Sequence, residues 1–322
     1  MKKVNFIAEL CQNHLGKMKH VEKMLDECAS SGAKIIKLQY IYAKNLSYRP
    51  RFENGITLKS KIYSIKRPYK NEFERLKKLE LPEKSFEKFV TLCEKYRVEP
   101  MVTCFAREHV DKIYNHGFRH VKVASYDCCA PQLIRDLSKK FKNIIVSTGA
   151  SYDEEIKHTS KILKKNHINF ALLHCVTLYP TPFNYLNLAR INYLKQFTKN
   201  IGYSDHTTSI DKRKNLASLA AIYFGAKYIE RHIRILDFDK SKDGKVSILP
   251  KDILELVNFD ALSKNQQYDY LKSNYKINPK NFLGKEKRIL THEELLNRDY
   301  YRGRFVSKSK HRDIYNWDEV SI

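Results

Sequence analysis

Three features of the 322-residue sequence predict an α/β fold, a (β/α)8 TIM barrel with a short irregular C-terminal extension. Short apolar runs alternate with amphipathic stretches from the first residues, which is the mark of a parallel sheet wrapped by helices. Eight such runs are present, the number that closes a parallel sheet into a barrel. Polar side chains stand at the C-terminal end of each run, the rim on which a barrel assembles its chemistry.

The first strand is expected over Val4–Leu10, and the stripe Val21, Met24, Leu25, Cys28 marks the helix behind it, ended by Gly32. Ile35–Gln39 is the second strand. The stretch from Tyr40 to Asn71 is too long for a plain connection and reads as a lid. Phe86, Phe89, Val90 and Cys93 form the next helical stripe, followed by strands at Pro100–Cys104 and His120–Val123, with Pro131 placed to open a helix. Ile144–Ser147 is the fifth strand, and Ser151 with Glu154 forms a capping box for the helix after it. Phe170–His174 and Ile201–Ser204 come next. The stripe Leu216, Leu219, Ala220, Tyr223, ended by Gly225, separates them from the last strand, Tyr228–His232. Periodicity fades after Leu262, so a catalytic barrel over 1–265 and an extension over 266–322 are expected.

Composition narrows the function classes. No apolar run approaches the roughly 20 residues that span a bilayer. The N-terminal apolar run breaks at Glu9 without a small-residue cleavage site, so export is not expected. The seven cysteines form no CxxC pair and mostly sit within apolar stripes, as reduced cytoplasmic thiols do. The net charge of +24 raises nucleic-acid binding, but the lysines are spread over nearly every helix and no nucleic-acid partner is expected. The one dense basic stretch, Lys59 to Lys78, either frames an anionic substrate or is a solvated face.

At the strand ends stand Glu9, Asn13 and His14; Lys37 and Gln39; Thr103; Lys122, Ser125 and Asp127; Ser147 and Thr148; His174, Thr177 and Tyr179; Ser204 and His206; Glu230 and His232. Two lysines and several hydroxyls round one mouth make an anion site. His206 and His232 end neighbouring strands, so either they share a divalent cation of the Mn²⁺ or Mg²⁺ kind or each is a hydrogen-bonded core group. On position alone both readings stand.

At these residues the sequence resembles the N-acetylneuraminate (sialic acid) synthase family, which includes the legionaminate and pseudaminate synthases. The segments "IAELCQNHLG", "GAKIIKLQ", "KVASYDC", "IIVSTGA", "LLHCVTLYPTP", "IGYSDHT" and "YIERHI" carry it, in the family's order. The resemblance implies a metal-dependent transferase of surface-polysaccharide biosynthesis. Such an enzyme condenses phosphoenolpyruvate with an open-chain, N-acetylated aldose, releases phosphate and leaves a nonulosonic 2-keto acid. It further implies Glu9 as the catalytic carboxylate, and His206 and His232 as ligands of Mn²⁺ or Mg²⁺. Lys37, Thr103, Lys122, Ser125, Ser147, Thr177 and Ser204 are implied phosphoenolpyruvate contacts, and Gln39, Tyr179 and Asp243 implied sugar contacts. Thr177 stands where an asparagine is common, and Tyr126 where a glycine is common. The segment "YYRGRFVSKS" resembles only the first strand of the family's antifreeze-like domain. That implies a truncated remnant: either Arg302 or Arg304 takes the place of the arginine that domain supplies from a partner subunit, or the acceptor lacks the usual acetamido contact; the family suggests a homodimer, although the short tail removes the usual reason for a swap. Two other readings remain: a Schiff-base aldolase using Lys122 or Lys37, and a basic binder of anionic polymers.

Overall fold

Valine, isoleucine and leucine dominate the eight apolar runs, and each run forms a parallel strand buried on both faces. The strands are β1 (Asn5–Glu9), β2 (Ile35–Tyr40), β3 (Glu99–Cys104), β4 (His120–Val123), β5 (Asn143–Ser147), β6 (Asn169–His174), β7 (Ile201–Asp205) and β8 (Tyr228–Ile233). They pair in sequence order and β1 pairs with β8, so the sheet closes on itself. Every strand lies within one residue of its expected ends at each terminus. This computed structural model describes residues 4–310 and 312–320.

The barrel helices are α1 (Met18–Ser30), α2 (Lys84–Lys95), α3 (Val110–Asn115), α4 (Pro131–Lys140), α5 (Asp153–Lys165), α6 (Arg190–Leu194), α7 (Leu216–Tyr223) and α8 (Ile253–Asp260). Their expected stripes are buried against the strands, apart from the half-buried Tyr223. Pro131 is the first residue of α4, as its fixed φ and missing N–H favour. The start of α5 departs by one residue from the expected capping box. Tyr152 is the N-cap and its N–H donates to Glu155 at 2.8 Å. The Ser151 hydroxyl instead donates to the Ser125 carbonyl at 3.0 Å, tying together the loops after β4 and β5.

Two segments outside the barrel matter for the site. The stretch after β2 holds a short helix (Arg51–Asn54), an antiparallel hairpin (Ile56–Leu58 with Lys61–Ser64) and a helix over Tyr69–Lys77, so it is built chain and not open loop. The C-terminal extension is also more regular than its weak periodicity predicts. It contains α9 (Lys264–Tyr275), which runs across the expected boundary at residue 265, and α10 (His292–Tyr301). Both start at capping boxes, Ser263 with Gln266 and Thr291 with Glu294. Periodicity is weak because α9 is mostly exposed, burying only Gln267 and Leu271. Beyond α10 the chain returns to the barrel mouth. Leu46 and Phe305 bridge there, and Ser47 and Val306 donate backbone bonds to Arg304 and Asn45 at 2.9 Å. A small apolar cluster of Ile41, Ala43, Leu46, Leu76 and Phe305 seals this junction.

Candidate active site

The two-residue period of the strands divides the barrel interior into an apolar bottom and a polar top. Ile7, Ile35, Met101, Ile145, Ala171 and Leu173 form the bottom layer. Two residues further along their strands the same inward face carries Glu9, Lys37, Thr103 and Ser147. On β8, Tyr228 packs on this layer, so Glu230 and His232 above it also face inward. Gly202 is required on β7: a Cβ there would lie 2.4 Å from the Tyr228 carbonyl and 2.6 Å from Leu173. Ser204 follows inward, while Asp205 and Arg231 face the helices and pair at 2.7 Å. Register then sets the inward groups level, with Glu9 opposite both Lys37 and His232, Lys122 opposite Thr103, and Glu230 opposite Ser204.

On the floor, Lys37 Nζ is ion-paired with Glu9 and donates to Thr103 Oγ1 at 3.0 Å. Lys122 Nζ donates to Ser147 Oγ at 2.7 Å, and Glu230 stands between the lysines, 3.6 Å from Lys37 and 3.4 Å from Lys122. Ser204 Oγ donates to Glu230 at 2.7 Å. Burial lowers Lys37 to about 7, and the Glu230 charge recovers only part of that loss. For Glu230 burial acts upward, but Lys122 and Lys37 together outweigh it and hold the carboxyl below its usual range. An ammonium has three donors, and Lys37 faces Glu9, Thr103 and Glu230 with them. Thr103 and Ser147 accept from the lysines, which leaves each hydroxyl hydrogen free to donate onward.

Beside the floor the His206 and His232 rings meet nearly perpendicular, 5.4 Å between centroids. His206 is fully enclosed. Burial, reinforced by His232, lowers it to about 4, and its Nδ1 hydrogen-bonds the Val176 carbonyl at 2.9 Å. It is therefore a neutral imidazole near pH 7 with its Nε2 lone pair directed inward, 3.3 Å from Ser204 Oγ. His232 Nδ1 is buried without a hydrogen-bond partner, 3.4 Å from Asp243 Oδ2. For Asp243 burial acts upward, but the His232 contact prevails and its pKa falls to about 2. The Asp243 loop is fixed by Asn13, whose Oδ1 accepts the Asp243 N–H at 2.9 Å and whose Nδ2 donates to the Ile233 carbonyl at 2.6 Å. Cys11 Sγ, a His232 nitrogen and an Asp243 oxygen lie within 4.8 Å of one another. A neutral imidazole, an unpartnered buried nitrogen and an ionised carboxylate are a donor set that fits a divalent cation.

The floor groups, both histidines and Asp243, but not Cys11 or Asn13, line one cavity of about 400 Å³, together with Gln39, Ser125, Tyr126 and Tyr179. The Tyr179 ring lies over His206 at 4.4 Å between centroids. Of the expected contacts, Thr177 alone is off the cavity wall. It is fully buried under α10, where Asn297 donates to its carbonyl at 2.8 Å. Asp243, expected on the sugar side, also lines the cavity, but with its carboxylate against His232. His174 and His14, both at strand ends, make structural bonds, His174 Nε2 to the Leu186 carbonyl at 2.7 Å and His14 Nδ1 from the Gly16 N–H at 3.0 Å. Sequence reasoning left Glu230 without a role, although its position two residues before His232 on one strand signals the same inward face. It offered Arg304 and a basic frame between Lys59 and Lys78, but not how the outer rim is joined. Glu72 takes Arg75 in a two-point pair at 2.8 Å, Arg75 reaches Gln12 at 3.1 Å, and Arg304 of the extension pairs with Glu72. Tyr300 and Tyr301 complete that wall, with Tyr301 stacked on Tyr126 at 4.9 Å. The basic stretch thus places Arg67 and Arg75 on the cavity and leaves Lys59 and Lys61 exposed.

Fold and site together define a barrel of the enzyme type, with two buried lysines and a row of hydroxyls on its floor beside His206, His232 and Asp243. The chain belongs to the NeuB family, whose profile it matches over residues 24–266, and it is an enzyme of the sialic acid synthase kind. It is 33% identical over 261 residues to an N,N'-diacetyllegionaminic acid synthase of Campylobacter jejuni, covering 79% of this chain and 74% of that one. A pseudaminic acid synthase of the same species is 27% identical across 99% of this chain and 86% of its own length. Among solved structures, the N-acetylneuraminic acid synthetase of Leptospira borgpetersenii, crystallised with citrate, superposes with a TM-score of 0.67 at 27% identity, covering 92% of this chain and 91% of that one. No described helix is long and apolar enough to cross a membrane.

Proposed function

We propose that this chain condenses phosphoenolpyruvate with the open-chain form of an N-acetylated aldose, releasing inorganic phosphate and forming a nonulosonic 2-keto acid. The observation that carries this reading is the level arrangement of Glu9 between Lys37 and His232, which sets an anion site, a carboxylate and cation ligands round one cavity. Lys37 and Lys122, with Thr103, Ser125, Ser147 and Ser204, hold the phosphate and carboxylate of phosphoenolpyruvate. Gln39, Tyr179, Tyr126 and the rim arginines face the sugar. A divalent cation held by His206 and His232, with Asp243 beside them, supplies Lewis acidity to the acceptor aldehyde.

The residues then act in order. The enol carbon bonds to the aldehyde carbon, the aldehyde oxygen takes a proton from solvent to become a hydroxyl, and positive charge develops on the carbon bearing the phosphate ester. The Glu9 carboxylate stabilises that charge in a site that excludes bulk water, and takes a proton from the water that adds there. The C–O bond to phosphate breaks, the added hydroxyl becomes the new keto group as its proton passes to the leaving phosphate, and the two lysines balance the charge of the departing phosphate. Incubation with phosphoenolpyruvate, N-acetylated hexosamines and Mn²⁺ is expected to release phosphate with a keto-acid product visible by mass spectrometry, and a chelator is expected to stop it. Trapping of the chain by borohydride with pyruvate, or phosphate release indifferent to the chelator, contradicts the reading.

A further inference from the structure

The chain leaves β1 through Leu10 and Cys11, and Cys11 takes a φ of +40°, in the left-handed region. A residue with a Cβ is strained there, whereas glycine is not. That conformation buries Cys11 completely in the barrel mouth. Its N–H donates to Glu9 Oε1 at 2.6 Å, fixing the turn to the catalytic strand. In that position Sγ, a His232 nitrogen and an Asp243 carboxylate oxygen lie within 4.8 Å of one another, close enough to share one ion. His232 is 8% exposed and its Nδ1 has no hydrogen-bond partner, although buried polar atoms nearly always have one. The Asp243 loop is held on the other side by Asn13 and by Ser247, whose hydroxyl donates to the Asp243 carbonyl at 2.7 Å. A strained turn, an unpartnered nitrogen and a braced carboxylate thus face the same point.

We propose that Cys11 is a thiolate ligand of the cation, bound jointly with His232 and Asp243, and that it biases the site toward thiophilic ions such as Zn²⁺, Fe²⁺ or Co²⁺ over Mg²⁺. It rests on the condensing-enzyme reading only in taking the cation to sit at this mouth. Imidazole and carboxylate donors alone suit Mn²⁺ or Mg²⁺, whereas one sulfur ligand favours softer ions. On binding, the S–H bond breaks, a sulfur–metal bond forms and the proton leaves to solvent; no oxidation state changes. His206 flanks the set, its Nε2 facing inward.

Cobalt reports sulfur ligation directly. Metal-free protein is loaded with one equivalent of Co²⁺, the bound metal is quantified, and the absorption spectrum is recorded. The expected result is an intense near-ultraviolet sulfur-to-cobalt charge-transfer band in the wild-type chain, lost in Cys11→Ser and in Cys11→Gly. The glycine variant suits the left-handed turn and guards against loss of folding. Zn²⁺ affinity is expected to fall by about 10–100-fold in Cys11→Ser, the scale of losses at perturbed metal sites, while Mg²⁺ affinity barely moves. Stoichiometric Co²⁺ without the band, no Co²⁺ bound at all, or a band unchanged in both variants overturns the proposal. The spectrum is independent of turnover. A chain that shows the band but releases no phosphate loses the condensation reading alone, and one that turns over with metal but without the band loses the thiolate alone.

Discussion

Lys37 concentrates the electrostatics of the site in one side chain. It touches Glu9, yet burial holds it near 7, because desolvation penalises the ammonium more than the Glu230 charge recovers and Lys122 adds to the penalty. Anion binding needs the protonated form. In the free enzyme kcat/KM for phosphoenolpyruvate is therefore expected to fall as pH rises through about 7, while kcat, which reports the complex in which the bound anion keeps the ammonium charged, stays flat over that range. An alkaline limb in kcat with none in kcat/KM contradicts this. The stability effect has the opposite sign. With a folded value near 7 and an ordinary value of 10.5, the unfolded chain binds the extra proton, so Lys37 weakens folding at and below neutral pH and this penalty lifts as pH rises from about 7 toward 10.5. Glu9 is tested by Glu9→Gln, which retains an acceptor for the Cys11 N–H and removes the charge. We expect kcat to drop by about 10²–10³-fold, the scale for losing one preorganised electrostatic partner, with phosphoenolpyruvate affinity little changed in a binding titration. An equal loss in binding would make Glu9 a substrate anchor.

At the scale of elements, the β7–β8 pair shows how one alternation sorts function from support. Ser204, His206, Glu230 and His232 line the cavity, while Asp205 and Arg231 lie between them in sequence and under α7 in space. Asp205 accepts from Arg231, from Ser218 of α7 at 2.6 Å and from the Thr207 N–H at 2.8 Å, with both members of the ion pair wholly buried. Removing one partner of such a pair leaves an uncompensated charge. Asp205→Ala is expected to cost about 3–5 kcal/mol and to lower Tm by roughly 10 °C in a thermal melt; a shift near zero would mean Arg231 finds another partner. The strands were legible because apolar runs bounded by polar strand ends are a local signal. The inward polar residues were legible because a two-residue period from an apolar bottom layer fixes which side each faces. Glu230 followed the same rule and was still passed over, since nothing local separates a floor carboxylate from an ordinary strand-end acid. That Thr177 stands off the cavity wall was not legible, because what covers it is α10, more than a hundred residues away. The rim of Arg75, Glu72 and Arg304 joins an insertion to the extension across 232 residues, a contact no local pattern reports. The helices of the extension were readable from Ser263 with Gln266 and Thr291 with Glu294, but weak periodicity hid them.

At the scale of the whole molecule, the extension decides whether one chain makes a whole site. α10 is anchored at several points along its length. Arg298 grips Glu155 of α5 at 2.5 and 3.0 Å, and Arg49 of the insertion takes the Tyr300 carbonyl at 2.5 Å and the Arg302 carbonyl at 3.1 Å, where a cation complements the helix C-terminus. Those anchors set Tyr300, Tyr301 and Arg304 on the cavity wall of their own chain. Of the two arginines suggested by the resemblance, Arg304 lines the cavity and Arg302 stacks over Trp317. An arginine reaching the site within one chain has a consequence that a swapped one does not. Arg304→Ala is expected to raise the acceptor KM about tenfold or more, the scale for losing a hydrogen bond to a charged group, with Glu72 still paired to Arg75. Mixing Arg304→Ala, weakened in acceptor binding, with His206→Ala, which lacks a cation ligand, is then expected to give no more activity than Arg304→Ala alone and to leave the acceptor KM raised, because neither chain lends its intact half to the other. Specific activity of the wild-type chain should likewise hold constant on dilution. Recovery on mixing, or a steep loss on dilution, would mean that the arginine acts across an interface between copies and that the placement of Arg304 in its own cavity is not the working one.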